Sequence, residues 1–219
     1  MLVKKVIIMC GGIYQHWKEP KAMSIVRGER LIERTIRLLK ENGITDWYIS
    51  SNNDIFEQYG KVLYHPNSFV VKKVDDIEMV SGYWIDAYYP TNEPTIYLHG
   101  DVYYTEEALK KILNYDAKEN TFIGNEIARN PEHKNWGEPF GWIVVDQSKF
   151  REGIEKTKQL QDEGKLQRGY ALSWELYRVL EGTDPNYMLI NDNTYLSIDD
   201  STIDVDTPEQ IELVNRGYR

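Results

Sequence analysis

The chain has 219 residues, with 26 Lys+Arg against 35 Asp+Glu for a formal net charge of −9, and 41% hydrophobic and 28% charged residues. This is the composition of a soluble globular protein long enough to bury a core without staples, and it excludes a disordered or fibrous chain. The acidic balance excludes a general nucleic-acid binder, which needs a basic face to displace counterions, but not a nucleotide substrate, whose phosphate tail a loop, a lysine and a metal can hold.

Leu2 to Met9 is a lysine-flanked apolar run rich in β-branched residues, the pattern of a strand buried on both faces. The run Val6 to Cys10 is too short for a signal-peptide core or a membrane span, so a cytoplasmic protein that does not engage a membrane is expected. Cys10, the single cysteine, makes no internal disulfide or multi-thiolate site by itself. The strand breaks at Gly11-Gly12, and after a polar and aromatic loop Leu31, Ile32, Thr35, Ile36, Leu38 and Leu39 have helical spacing that stops at Asn42-Gly43. Asp46 to Ser50 reads as a second strand, Glu78 to Tyr89 as a helix, Thr95 to Leu98 as a third strand and Glu106 to Leu113 as a helix.

Thr121 to Glu126 and Gly141 to Val145 read as strands around a polar loop holding Asn130, Pro131, His133, Trp136 and Pro139. Lys149 to Glu181 is helical in composition with interruptions near Gly164 and Gly169. Tyr195 to Ile198 is strand-like, and a terminal helix starts with Thr207 at its N-cap and Pro208 in its first position. Strands alternating with helices predict an α/β fold, a single αβα sandwich of residues 1–219 with a mostly parallel, Rossmann-like sheet and ligands at the carboxyl ends of its strands. Residues 1–115 and 116–219 are its two expected halves.

Three elements are able to carry chemistry. Glycines between the first strand and helix let backbone N–H groups approach an anion, and Lys21 is placed to return to it; the alternative is a plain Gly-Gly turn with a solvated lysine. The loop is not a P-loop, because Gly-Lys-Ser/Thr is missing. Gly100-Asp101 after a buried strand suits a hard cation, or is an ordinary turn. In Ile203-Asp204-Val205-Asp206-Thr207-Pro208-Glu209 the two aspartates share one face of an extended segment, where each raises the other's pKa unless a cation is present; helix capping accounts for Thr207 and Glu209 but less well for the aspartates.

Gly-Gly, Pro20-Lys21, Gly28, Leu31-Ile32-Glu33-Arg34, the strand-end Gly100-Asp101 and the late Asp204-x-Asp206-Thr-Pro-Glu, in that order, resemble the nucleotidyltransferase superfamily with the glycosyltransferase-A-like fold. It includes sugar-phosphate nucleotidyltransferases, cytidylyltransferases and molybdenum-cofactor guanylyltransferase. The resemblance implies that Gly11 and Gly12 contact the triphosphate, that Lys21 offsets charge at the reacting phosphates, and that Asp101 and Asp206, with Asp204 as accessory, hold Mg²⁺. It points loosely to Ser51, Asn52, Ser81 and Gly82 for the nucleobase. The family's loop arginine is absent; Ile13-Tyr14-Gln15-His16-Trp17-Lys18 stands there, so Lys18 is the first candidate to supply the charge.

The reaction this implies joins an NTP, CTP by preference, to a phosphorylated sugar, alditol or choline with release of pyrophosphate. A homodimer stays open. Trp136, Glu138, Trp142 and Tyr170 are the expected acceptor-binding residues, since aromatics with an acid cage a quaternary ammonium or stack on a sugar. Their alternative is core packing. The 16 Tyr and 6 Trp against 5 Phe are read in part as site lining. Molybdenum-cofactor guanylyl transfer, glycosyl transfer and a catalytically silent nucleotide-binding protein are the alternatives. Asp101-Val102-Tyr103 counts against glycosyl transfer, which uses Asp-x-Asp after the third strand.

Overall fold

The computed structural model describes residues 3, 5–11, 17, 19–65, 69–74, 77–126, 137–187 and 190–217, with the backbone alone at 71–74 and 77–80. In chain order the elements are β1 (Lys5–Met9), β2 (Ile25–Val26), β3 (Glu29–Arg30), α1 (Leu31–Glu41), β4 (Trp47–Ser51), β5 (Lys61–Tyr64), β6 (Val70–Val74), β7 (Ile77–Ser81), β8 (Thr95–His99), β9 (Val102–Tyr103) and α2 (Glu106–Leu113). They continue with β10 (Thr121–Asn125), β11 (Glu138–Val144), α3 (Gln147–Asp162), α4 (Ser173–Leu180), β12 (Tyr195–Ser197), β13 (Ile203–Asp204) and α5 (Pro208–Asn215). Short 3₁₀ turns occupy Lys21–Met23, Asp54–Gln58 and Trp84–Ala87.

Seven strands form the central sheet in the order β12-β10-β11-β8-β1-β4-β5. Only β11 runs against its neighbours β8 and β10; the other pairings are parallel. Alternation along β1 explains the two cores. Val6 and Ile8 join α1 and α2 on one face, while Ile7 and Met9 join α3 and α4 on the other. The α/β sandwich with a mostly parallel sheet is therefore the observed architecture. Each fully buried branched side chain in β1 stabilises it by roughly 1.5–3 kcal/mol.

The helix ends follow local chemistry. Asn42 closes α1 through its Nδ2, which donates to Leu38 O at 2.9 Å, and Gly43 follows at φ +78°. Thr105 caps α2 by accepting from Ala108 N–H at 2.9 Å, and Asp146 caps α3 by accepting from Lys149 N–H at 2.9 Å. At α5 the capping oxygen is Gln210 Oε1, which takes the N–H groups of Asp206 and Thr207 at 2.5 and 3.1 Å.

One predicted element is wrong. Glu78 to Tyr89 is not a helix: Ile77–Ser81 pairs antiparallel with Val70–Val74, Gly82 turns the chain at φ +73°, and Trp84–Ala87 makes a 3₁₀ turn. A hydrogen-bonding partner just upstream decides against the helical spacing of the apolar residues. The strand expected from Gly141 begins at Glu138, which moves Glu138 and Pro139 out of the loop and into the sheet. The helical stretch splits into α3 and α4 across Gly164 and Gly169, both at positive φ.

Candidate active site

The site begins where β1 and β8 end side by side. Gly100 N–H donates to Met9 O at 2.9 Å, and a Cβ on Gly100 would lie 2.6 Å from Cys10 Sγ and 2.7 Å from Met9 O. Absence of a side chain lets the strand ends close up, so Asp101 emerges beside Cys10 and Gly11.

The late aspartates arrive by strand pairing. β13 lies antiparallel to β9 with Asp204 opposite Val102, and Val205 N–H donates to Asp101 O at 3.0 Å. Val205 is fully buried, which sends Asp204 and Asp206 to the opposite side, toward the cleft. Glu138 Oε2 accepts from Asp204 N–H at 3.3 Å, and Trp17 Nε1 donates to Asp206 O at 3.3 Å.

Lys21 joins the two groups. The 3₁₀ turn after Pro20 buries it to 7% exposure, with Nζ 2.5 Å from Asp206 Oδ1 and 3.6 Å from Asp101 Oδ2. Burial, then the charges of Asp206 and Asp101, push the Asp204 carboxyl far above the usual carboxylate range, and its Oδ1 is buried without a hydrogen-bond partner. Among the described residues no three Asp, Glu, His or Cys side chains stand ready around a metal position. The donor chemistry nonetheless suits a hard divalent cation: Asp204 keeps one buried oxygen unsatisfied, and Lys21 bridges Asp101 and Asp206, supplying part of the missing positive charge.

Among the described residues, no activated nucleophile or poised general base flanks this cluster. Burial first, and Asp101 second, push the Cys10 thiol up, so it stays protonated at neutral pH. Burial pulls the His99 imidazole down to about 4; its Nε2 lies 3.2 Å from both Tyr88 Oη and Ser173 Oγ, which are 2.6 Å apart.

Two cavities flank the Lys21–Asp101 pair. The smaller, about 240 Å³, is lined by Met9, Cys10, Gly11, Pro20 and Ala22 on the glycine-loop side. The larger, about 560 Å³ including its open mouth, is lined by Trp84, His99, Pro139, Arg168, Ser173 and Trp174 with Asp204 and Asp206. Lys21 and Asp101 line both.

Of the expected site residues, Lys21, Asp101, Asp204, Asp206 and Gly11 come together, while Gly12, Lys18 and Trp136 lie outside the described residues. Ser51 is buried with its Oγ donating to Cys10 O at 3.1 Å, and Asn52, just past the carboxyl end of β4, is exposed. Ser81 and Gly82 line neither cavity; the Gly82 carbonyl accepts from Gln161 Nε2 at 2.8 Å.

Three acceptor-side expectations are corrected. Trp142 is fully buried among Phe122 and Phe150, with ring centroids 4.9 and 5.2 Å away, because its position in β11 faces the α3–α4 layer. Glu138 is fully buried beneath Asp204. Tyr170 rests on Phe69 at 5.5 Å and does not line the cleft; Arg168, two residues earlier, does. The aromatic excess is accordingly core in large part: Tyr88, Tyr97, Trp142, Trp174, Tyr177 and Tyr195 pack in one cluster on the α3–α4 face. Sequence reasoning missed Trp84, Arg168 and Leu172 in the cleft. Arg168 sits in the break between Gly164 and Gly169, a usable signal.

No family model and no curated protein matches this chain. Solved structures do. The inositol-1-phosphate CTP transferase from T. maritima aligns with a TM-score of 0.54 at 14% identity over 99% of this chain and 96% of its own. The CTP:phosphocholine cytidylyltransferase LicC from Streptococcus pneumoniae aligns at 0.54 and 14% over 100% of both chains. HddC from Yersinia pseudotuberculosis, in complex with GMP-PN, aligns at 0.53 and 14% over 99% and 100%. At this identity the likeness is one of fold, and it spans the whole chain. The chain thus shares the α/β fold of these proteins.

Proposed function

We propose that the protein is a nucleotidyltransferase that joins an NTP to a phosphorylated small molecule and releases pyrophosphate. The observation that carries this reading is the shared wall: Lys21 and Asp101 border both the glycine-loop cavity and the larger cleft. Two substrates bound one in each cavity meet at that wall, which is what an in-line displacement requires.

An oxygen of the acceptor phosphate forms the new bond to the α-phosphorus while the bond to the bridging oxygen breaks, and pyrophosphate leaves with the electron pair. A phosphate monoester is already ionised at neutral pH, so the chemistry calls for no general base. Lys21 offsets charge on the transferring group, and the Gly11 segment offers backbone N–H groups to the phosphates. Asp101 and Asp206, with Asp204, would hold Mg²⁺, which when bound neutralises phosphate charge and fixes the α-phosphate. CTP is the nucleotide to test first, since two of the aligned enzymes are CTP transferases by name.

A pyrophosphate-release screen of four NTPs against phosphorylated sugars, alditols and choline, with Mg²⁺, tests the reading. Release from one pair, lost in Lys21→Ala and Asp101→Asn, supports it. Nucleotide binding without release from any pair marks a silent nucleotide-binding protein and overturns it.

A further inference from the structure

A third, small core stands apart from the two that flank the sheet. Val26 of β2, Leu31 of α1, Tyr103 of β9, Ile203 of β13, Val205 and Val214 of α5 are buried against one another. Tyr103 aside, these residues come from two stretches of chain, one running from the β2–β3 hairpin into α1 and one from β13 into α5. Lys21 leads into the first stretch, and Asp204 and Asp206 belong to the second. The packing of this core therefore decides how the lysine and the aspartates face each other.

Arg27 joins the two stretches. It sits at the tip of the β2–β3 hairpin at φ +51°, the one residue other than glycine with positive φ among the described residues, and Gly28 follows at +82°. Glycine, asparagine or aspartate is the ordinary choice for the first position of such a turn, so the arginine is held against its backbone preference. What holds it lies across the small core. Its N–H donates to Asn215 Oδ1 at 2.6 Å and its Nε donates to Val214 O at 3.1 Å, both in the last turn of α5, where a cation also meets the negative end of the helix dipole. The guanidinium lies 5.5 Å from the centre of the Tyr103 ring, with Nη1 3.5 Å from Tyr103 Oη.

These contacts bracket the aspartates. Tyr103 lies opposite Ile203 in the β9–β13 pair, one residue before Asp204. On the other side, α5 starts just past Asp206 and is tied back to it by Gln210 Oε1, which accepts the Asp206 N–H at 2.5 Å. One side chain thus touches both the strand that aligns Asp204 and the helix that follows Asp206. Arg27 itself is exposed and lines neither cavity, so it touches none of the groups that would meet a ligand there.

We propose that Arg27 is a positioning residue: through Tyr103 and α5 it holds Asp204 and Asp206 against Lys21, and so sets the affinity of these carboxylates for a divalent cation. The proposal rests on the cation reading of this cluster under the proposed function, to which the buried, unpartnered Asp204 Oδ1 points. Mg²⁺ demands near-ideal octahedral geometry, and ligands whose supporting contacts let them drift by about half an ångström hold it less well.

Arg27→Asn is the main test, because asparagine accepts positive φ and keeps the turn and its N–H while removing the guanidinium. Hydrogen exchange on the full chain should show the Val205 and Asp206 amides exchanging about fivefold faster in this variant, with the β1 amides unchanged. Calorimetry should show Mg²⁺ binding weakened by about the same factor, the worth of one net hydrogen bond. Arg27→Lys, which keeps the charge but not the planar fork, should fall between, and thermal melts check that both variants fold.

Unchanged exchange at Val205 and Asp206 overturns the proposal, and so does faster exchange with an unchanged Mg²⁺ affinity. A wild-type chain that binds no Mg²⁺ at millimolar concentration overturns the cation reading and the proposal with it. Mg²⁺ binding that depends on Arg27, with no pyrophosphate from any NTP, overturns nucleotidyl transfer and leaves the proposal standing.

Discussion

Lys21 Nζ stands 2.5 Å from Asp206 Oδ1 across 185 residues of sequence, and this contact ties the glycine-loop side of the molecule to its C-terminal segment. The ammonium is buried and shared with Asp101, so it neutralises carboxylates that would otherwise repel one another.

Lys21→Met removes that compensation. We expect a loss of about 2 kcal/mol, below the roughly 3–5 kcal/mol of a fully buried broken pair because the aspartates are partly exposed. Millimolar Mg²⁺ should raise the melting temperature of Lys21→Met more than that of the wild type, because the cation then answers a larger charge deficit. Equal shifts, or none, would count against these carboxylates as a cation site. Pyrophosphate release should fall by about a hundredfold or more in the variant.

Asp204→Asn separates a carboxyl's structural cost from its use. With its pKa raised above the unfolded value, ionised Asp204 costs stability as pH rises through the folded pKa, and none is lost at low pH. The metal-free variant should therefore be as stable as the wild type or more so at pH 8 by urea denaturation, while Mg²⁺-dependent pyrophosphate release drops. A marked destabilisation would mean that the carboxylate is already compensated in the metal-free protein.

His99 gives a pH dependence of the opposite sign. Burial as the neutral imidazole holds its pKa at about 4, below the ordinary value of 6.5, so its contribution is complete above 6.5 and is lost as pH falls toward 4. About 2 kcal/mol of this is lost by pH 5. Urea midpoints at pH 7.5 and 5.0 should differ less in His99→Gln than in the wild type. An unchanged difference would place the acid sensitivity elsewhere.

Gly100→Ala tests the close approach of β1 and β8. The added methyl would sit 2.7 Å from the Met9 carbonyl, a backbone atom that cannot swing away, so a cost of about 1–3 kcal/mol is expected. Combining it with Cys10→Ala should recover only part of the loss, since that relieves the 2.6 Å contact with Sγ but not the contact with the carbonyl. Full recovery would show the thiol to be the sole obstacle.

Residues whose signal is local were legible from the chain alone. Val6 to Met9 running into glycine, the α1 periodicity and the Asp204/Asp206 alternation all appear where expected. What escaped depends on partners distant in sequence. Ile77–Ser81 has helix-compatible spacing yet becomes a strand because Val70–Val74 lies beside it. Glu138 looked like a loop acid because the three residues that bring it into β11 precede Gly141, and its pairing with Asn125 is invisible in the sequence. Trp142 could not be told from a site tryptophan, since the face of a strand on which a ring falls is set by register. Arg168 is set against Glu175, 3.6 Å away, only by the turn into α4.

The β9–β13 pairing has a consequence for the order in which the molecule is made. Among the residues that Asp204 and Asp206 contact, Trp17, Lys21, Val102 and Glu138 lie earlier in the chain, while Gln210 follows. On the ribosome the glycine loop, the cleft wall and Asp101 have all emerged before the segment that completes the charge cluster. The charge cluster is thus completed only once residues 203–206 have been made, and a nascent chain lacking them keeps Asp101 without Asp204 and Asp206.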